Sequence, residues 1–344
     1  MEEVDGMEAA HIAAQAALEV GLVRPGDRYA WYASMARLAP SKHNTQPWSF
    51  SVCEDALDVW ADPARRLPAT DLLGREMVLA CGAAAQIAVI SAAALGIRLT
   101  VHPWPDGPTG PVARLIEADR IPAPADAATR LTAVRTRRTD RGPLDAGTLP
   151  TSLPFVLQDV AAAHRCTLRL VTSEGDRSGL ARLVELADRR LARMPEAEQE
   201  KRDWLRPPGD PSLDGVPAGA TRGTAASYSA PFVQRDFSLP QTEAAHARLG
   251  VDAPLVAVLC TPLDAPVNWL QGGRALMDVL IETAVVGGSA SYLNQPLELT
   301  GMRDVLASDL DLPGHPQVVL RIGRGAPVEA TPRRAVPDVV NRVP

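Results

Sequence analysis

The sequence predicts an α+β fold in which two similar units are joined in one chain, with mixed and antiparallel sheets flanked by helices. Two long apolar helical stretches are each bracketed by glycines at the same spacing: Gly82 and Gly96 around 83–95, Gly273 and Gly287 around 274–286. Strand-forming segments occur before and after each of them. The chain has 344 residues, more than one core usually serves, and its 46% hydrophobic content supplies apolar surface for a large interior. Equal spacing of this kind is the mark of an internal repeat. It suggests two halves packed through central helices, as the protomers of a homodimer would be. The expected units are 1–125 and 126–344.

Along the chain, an amphipathic helix is expected over 6–20, followed by a loop over 21–27. Tyr29, Tyr32, Met35 and Ala36 recur at helical spacing, so 28–38 reads as a helix. Strands over 49–52 and 57–61 flank a Glu54-Asp55 turn. Residues 77–95 are free of charge and approach the length that spans a bilayer. Alanine dominates them and Gly82, Gln86 and Ser91 interrupt them, so a buried core helix ending at Gly96 is expected instead. Strands follow over 98–102 and 112–117, then a linker over 120–126 with Pro122 and Pro124. The second unit reads as helix 128–141, strand 168–171, helix 179–193, strand 255–260, helix 270–286 and strand 317–322. A basic tail with Arg324, Arg333 and Arg334 closes it. The charged, Pro- and Gly-rich stretch 194–224 is long for a passive connection and reads as a lid or a surface excursion.

Composition removes several function classes. A net charge of −6 and a pI of about 5.6 argue against a nucleic-acid surface and against attraction to anionic membranes. Glu2, Glu3, Asp5 and Glu8 stand where a basic apolar leader would be, so no secretory signal and a cytoplasmic location are expected. Cys53, Cys81, Cys166 and Cys260 are scattered and fit buried reduced thiols better than a redox or metal role. No zinc-protease, nucleophile-elbow, P-loop or dinucleotide fingerprint occurs. Metal hydrolases, serine hydrolases and dehydrogenases built on that fingerprint lose ground accordingly.

Three stretches can carry chemistry. The first is Pro40-Ser41-Lys42-His43-Asn44-Thr45-Gln46-Pro47-Trp48, dense in small polar groups and framed by prolines that restrict the backbone. Such a loop can hold hydrogen-bonding groups in fixed directions toward a ligand. The second is the run from Arg135 to Arg141, where several guanidinium forks surround a hydroxyl, a combination that suits phosphate. A solvated basic face is the plain alternative. Arg333 and Arg334 could close the same site. The third is Gly287-Gly288-Ser289, where glycines allow close backbone approach to a planar ligand or simply end a helix.

The loop resembles the Pro-Ser-x-x-Asn-x-Gln-Pro-Trp motif of nitroreductase-like flavoproteins. Arg137-Arg138-Thr139-Asp140-Arg141 resembles their Arg-Arg-Ser-x-Arg motif, with Thr in place of Ser. The helix ends at Gly96 and Gly287 are similar to the family's Ala-x-x-Leu-Gly-Leu-Gly region. With its length, Asp214-Gly215-Val216-Pro217 and Pro332-Arg333-Arg334, the chain most resembles the Acg branch over most of 28–340. The resemblance implies a nitroreductase-like fold duplicated in one chain, a pseudo-dimer, with FMN held non-covalently between its lobes. It implies that Arg137, Arg138 and Thr139 take the phosphate with Arg333 or Arg334, and that Arg141 approaches the ring or the ribityl chain. Ser41, Lys42, Asn44 and Gln46 would reach across from the first unit. Gly287 would share the cofactor site, with backbone near Gly288 and Ser289 beside flavin N5.

Only the first unit has the Asn-x-Gln-Pro loop, and only the second has the Arg run. One FMN per chain is therefore expected, and a monomer, because the fused halves remove the usual reason to pair. The implied activity is an FMN-dependent oxidoreductase that moves hydride or electrons between NAD(P)H and a small nitro, quinone or specialised acceptor. Flavin N5 would carry the chemistry and no dedicated catalytic side chain is required. The rival is a protein that binds and sequesters FMN beneath 194–224 without turnover.

Overall fold

The computed structural model describes residues 25–145, 147, 149–217, 231–233, 235, 237 and 250–342. The helix expected over 6–20 and the end of the expected lid, 218–224, lie outside the described residues.

Helix α1 (Pro25–Ala36) leads through the polar loop into β1 (Trp48–Val52), β2 (Leu57–Ala61), α2 (Arg75–Ala94), β3 (Ile97–Pro103) and β4 (Ala113–Arg120). Trp48, Phe50 and Val52 alternate inward along β1, as period-two patterning requires of a half-buried strand. Next come α3 (Ala127–Thr136), α4 (Leu153–Ala162), β5 (Thr167–Leu170), α5 (Glu174–Leu191) and α6 (Pro195–Asp203). Short strands β6 (Leu205–Arg206), β7 (Val216–Pro217), β8 (Phe232–Val233) and β9 (Gly250–Val251) precede β10 (Leu255–Thr261) and α7 (Pro266–Val285). The chain closes with β11 (Ser289–Tyr292), α8 (Met302–Asp309), β12 (His315–Gly323), α9 (Val336–Val339) and β13 (Val340–Arg342).

Two main sheets result. One is mixed, in the order β13-β1-β2-β4-β3, with β13 running parallel to β1 at Phe50↔Val340. The other is antiparallel, in the order β11-β12-β10-β5. The last strand thus returns to the sheet otherwise built from the first 120 residues. Side-chain alternation in β10 gives the second sheet two apolar faces. Ala257 and Leu259 join the central core, whereas Val256, Val258 and Cys260 join a second cluster with Leu180, Val184 and Leu306 from α5 and α8.

Helices α2 and α7 cross at the centre, and glycine explains how closely. A Cβ on Gly82 would stand 2.2 Å from the Leu270 carbonyl oxygen, and one on Gly273 would stand 2.0 Å from that of Leu79. Each helix therefore presses its backbone into the glycine of the other. Helix α2 is long and apolar enough to cross a membrane, and 78% of that apolar window is buried within this fold. Its start is capped from the preceding loop: Asp71 accepts from the backbone N–H of Glu76 and of Met77, each at 3.0 Å. Gly96, at φ +68°, and Gly287, at φ +72°, take the left-handed turns that follow α2 and α7.

The helix expected over 128–141 is corrected. It stops at Thr136, and Arg137 leaves it with ψ 133°. Thr139 then forms a parallel bridge with Ala290, and the Asp140 N–H donates to the Ala290 carbonyl. Pairing with a strand outcompetes helix propagation here. Helices α4, α6 and α8 and strand β11 are additions to the expected element order. The described part of 194–224 holds α6 and the β6–β7 pair, and this pair packs onto the polar loop rather than projecting from it.

Candidate functional site

The loop ahead of β1 is conformationally strained. His43, Asn44 and Gln46 all have positive φ, at 50°, 54° and 49°. Such angles cost a non-glycine residue free energy and persist only where surrounding contacts over-determine them. Those contacts are plain. Ser41 Oγ accepts from the Gln46 N–H at 2.8 Å. Asn44 Nδ2 donates to the carbonyls of Gly215 at 3.0 Å and Pro332 at 3.1 Å, and its Oδ1 accepts from Arg333 at 2.9 Å. Gln46 donates to the Leu213 carbonyl at 2.8 Å and accepts from the Arg334 N–H at 2.8 Å.

Facing this loop is the segment after α3. In extended backbone, alternate residues point to one side; Arg137, Thr139 and Arg141 line the smaller cavity, and Arg138 reaches it as well. Arg321, almost fully buried, fixes the segment by donating to the carbonyls of Gly142 at 2.8 Å and Asp140 at 3.2 Å.

Two adjoining cavities lie between loop and segment, and both are lined by Pro40, Ser41, Thr139 and Arg141. They enclose about 990 and 710 Å³, open mouths included. The larger has apolar walls from Leu79, Leu276, Tyr292, Val318 and Phe237. The smaller is lined by Arg135, Arg137, Arg138 and Arg333, with Val216 and Pro217. The row Arg137–Thr139–Arg141 runs from the smaller cavity into the larger one.

The charges are unbalanced. Among the described residues, no ion pair involves Arg137, Arg138, Arg141 or Arg333. The buried Nε atoms of Arg137 and Arg333 have no hydrogen-bond partner among the described residues. Burial, then repulsion from Arg137, Arg138 and Arg37, pushes Arg333 down to about 9. Burial pushes Arg141 down to about 10 and lowers Arg137 as well. Buried cations without counter-charges are costly, so this arrangement is built to receive an anion.

The expected site residues divide into two groups. Ser41, Lys42, Arg137, Arg138, Thr139, Arg141 and, in the smaller cavity, Asn44 and Arg333 reach the walls. Lys42 arrives already engaged, donating to Thr70 Oγ1 at 2.6 Å and pairing with Glu76 and Glu298. Gln46 is fully buried and serves as a clamp between Leu213 and Arg334 outside both cavities. The Arg334 guanidinium turns to the carbonyls of Gln46, Trp48 and Asp338. Gly287, Gly288 and Ser289 form the turn into β11 away from the cavities, Gly287 lying beside the Arg324 guanidinium. It is Ser291 and Tyr292, at the far end of β11, that reach the larger cavity.

Sequence reasoning missed Glu76, Arg235, Phe237, Glu298, Tyr292 and Arg321, which line the larger cavity. Apart from Arg235 and Phe237, which stand two residues apart, they come from separate places in the chain and form no motif. His43 also lines it, edge-on to Phe237 with ring centroids 5.6 Å apart, while Arg141 stacks on the Phe237 ring at 5.0 Å. Burial, reinforced by Lys42 and Arg235, holds His43 well below the usual histidine range, so its imidazole is neutral.

No family model matches the chain. It is 30% identical over 317 residues to "Putative NAD(P)H nitroreductase Rv3131" of Mycobacterium tuberculosis H37Rv, covering 89% of each chain. It is 30% identical over 315 residues to "Putative NAD(P)H nitroreductase acg" of the same strain, covering 89% of this chain and 92% of that one. An uncharacterized protein of that strain, Rv3127, is 28% identical over 320 residues, covering 89% and 90%. Motif, cavity and relatives agree: the chain belongs to the nitroreductase-like family that includes Acg.

Proposed function

We propose that this chain is an FMN-dependent oxidoreductase acting between NAD(P)H and a small organic acceptor. The carrying observation is the row Arg137–Thr139–Arg141, which joins a cavity of arginines without ion-pair partners among the described residues to a larger one with apolar side chains in its walls. FMN has a doubly anionic phosphate at one end and a planar apolar ring at the other, and that polarity matches the two cavities. Arg137, Arg138, Arg333 and the Thr139 hydroxyl would hold the phosphate through charge-assisted hydrogen bonds. Ser41, Lys42 and Arg141 would lie along the ribityl chain and the ring. When bound, FMN supplies two-electron transfer through N5 to a nitro, quinone or specialised acceptor. The protein supplies position, dryness and positive potential, which favours negative charge developing in the cavity.

The wider reading is a duplicated fold with lobes 1–125 and 126–344, holding one FMN and working as a cytoplasmic monomer. The reciprocal packing of Gly82 on Leu270 and Gly273 on Leu79 supports the duplication, because each contact repeats the other with the helices exchanged.

One observation favours the rival, a sequestering role. The segment before residue 218 is tied to the loop by Asn44–Gly215 and Gln46–Leu213, and through Arg65, which pairs with Asp214 and donates to the Thr45 carbonyl; it walls the basic cavity. Purified protein should be yellow, and anaerobic NADPH should bleach it within seconds. A yellow protein that stays oxidised would favour sequestration. A colourless protein that takes up no added FMN would overturn both readings.

A further inference from the structure

The larger cavity is also lined by a buried charge cluster that a purely binding role leaves unexplained. Lys42 Nζ lies 3.2 Å from Glu76 Oε2 and 3.1 Å from Glu298 Oε2, so two carboxylates share one ammonium. Arg235 takes Glu298 Oε2 at 2.7 Å, and Arg75 lies 3.2 Å from Glu76 Oε1. Glu298 Oε2 thus accepts a hydrogen bond from Arg235 beside the Lys42 ion pair. Glu76 Oε2 is buried and has no hydrogen-bond partner among the described residues. Both carboxylates line the cavity.

We propose that Glu76 is the proton donor of the cavity, delivering to a reduced acceptor the proton that hydride transfer does not supply. This rests on the oxidoreductase reading above. Converting a quinone to a hydroquinone consumes two electrons and two protons. Hydride from reduced FMN brings both electrons and one proton. The second leaves Glu76: the acid O–H bond breaks as the hydroquinone O–H forms, and water reprotonates the carboxylate.

The surroundings favour Glu76 over Glu298 for this role. Burial raises Glu76 above the usual carboxylate range; Lys42 and Arg75 oppose that, and the like charges of Glu298 and Asp71 add to it. Arg235 and Lys42 hold Glu298 below its ordinary value despite its burial. His43, Arg141 and Arg321 face the same cavity, the first neutral and the others cationic. Of the pair, Glu76 is therefore the one shifted toward its protonated form.

The test uses full-length FMN-loaded protein and its Glu76→Gln variant, both photoreduced and mixed anaerobically with benzoquinone or with hexacyanoferrate(III), which takes electrons without protons. Wild type should reoxidise with benzoquinone at a rate that falls as pH rises through the Glu76 titration. Glu76→Gln should be about 100-fold slower and lack that fall, while its rate with hexacyanoferrate(III) stays within about twofold. An infrared pH-difference spectrum of the cofactor-free protein should contain a buried carboxylic-acid band that is lost in Glu76→Gln. Equal benzoquinone rates and pH profiles in the two proteins, or an unchanged infrared band, would overturn the proposal. If Glu76→Gln does not fold, Glu298→Gln tests the same idea: losing a like charge should move the pH break downward, and an unmoved or upward break overturns it. Failure of wild type to bind FMN would instead strike the oxidoreductase reading, while the infrared band reports Glu76 independently.

Discussion

Arg333 donates a 2.9 Å hydrogen bond to Asn44 Oδ1 across a sequence separation of 289 residues, tying the C-terminal tail to the strained polar loop at the basic cavity. Asn44 meanwhile donates to Gly215 and Pro332. Replacing Asn44 by Ala leaves a buried cation and two carbonyls short of partners. It also puts a less tolerant residue at positive φ. A loss of about 2–3 kcal/mol is expected in urea unfolding. Asn44→Gly, which removes only the side chain's bonds, should lose less.

Arg137 should trade stability for binding. Its buried guanidinium has no ion-pair partner among the described residues and an unsatisfied Nε. Arg137→Met should leave the melting temperature of the FMN-free protein unchanged or higher, since replacing an uncompensated buried charge by an apolar side chain removes a desolvation penalty. The same substitution should weaken FMN binding by about 1.5–3 kcal/mol, roughly 10- to 100-fold. Flavin fluorescence titration beside thermal unfolding of the apo protein measures both.

Anion affinity should depend on pH in one direction. Arg333 sits at about 9 and Arg141 at about 10 in the unliganded protein, because burial disfavours their charged forms. Only the protonated forms attract phosphate, so FMN affinity should hold steady from pH 6.5 to 8 and fall as pH rises through 9 and 10. Isothermal titration across that range checks it. A rise in affinity above pH 9 would refute the assignment of these arginines to the anion site.

The helix crossing should tolerate no side chain. Gly82→Ala and Gly273→Ala each place a Cβ within about 2 Å of a facing carbonyl oxygen, a backbone group that cannot rotate away. Each should cost about 3 kcal/mol or more, at the upper end of overpacking penalties. Denaturant midpoints measure this, and a neutral Gly82→Ala would mean the helices cross further apart.

Thiol chemistry should single out Cys53. Burial pushes Cys81 and Cys260 up to about 12 and Cys166 up to about 11, whereas Cys53 is only partly buried. A thiol reagent at pH 8 should modify the native protein at Cys53 first, with the other three reacting only on unfolding. Peptide mapping after timed labelling reports the order.

The central helices, most strands, the polar loop and the arginine run are legible in the amino-acid sequence. Each is written in contiguous residues, as a period, a glycine spacing or a dense motif, and local backbone preferences act over the same few residues. Tertiary structure alone decided that Arg137 to Arg141 leave the helix to pair with Ala290, which is what sets Arg137, Thr139 and Arg141 in a row. It also decided that Gln46 and Arg334 brace the loop, and that Ser291 and Tyr292 line the larger cavity. Glu76, Arg235, Glu298 and Arg321 could not be read as a site at all. Each is one charged residue in an ordinary local setting. Only burial against one another turns them from solvated charges into a group whose energies depend on each neighbour.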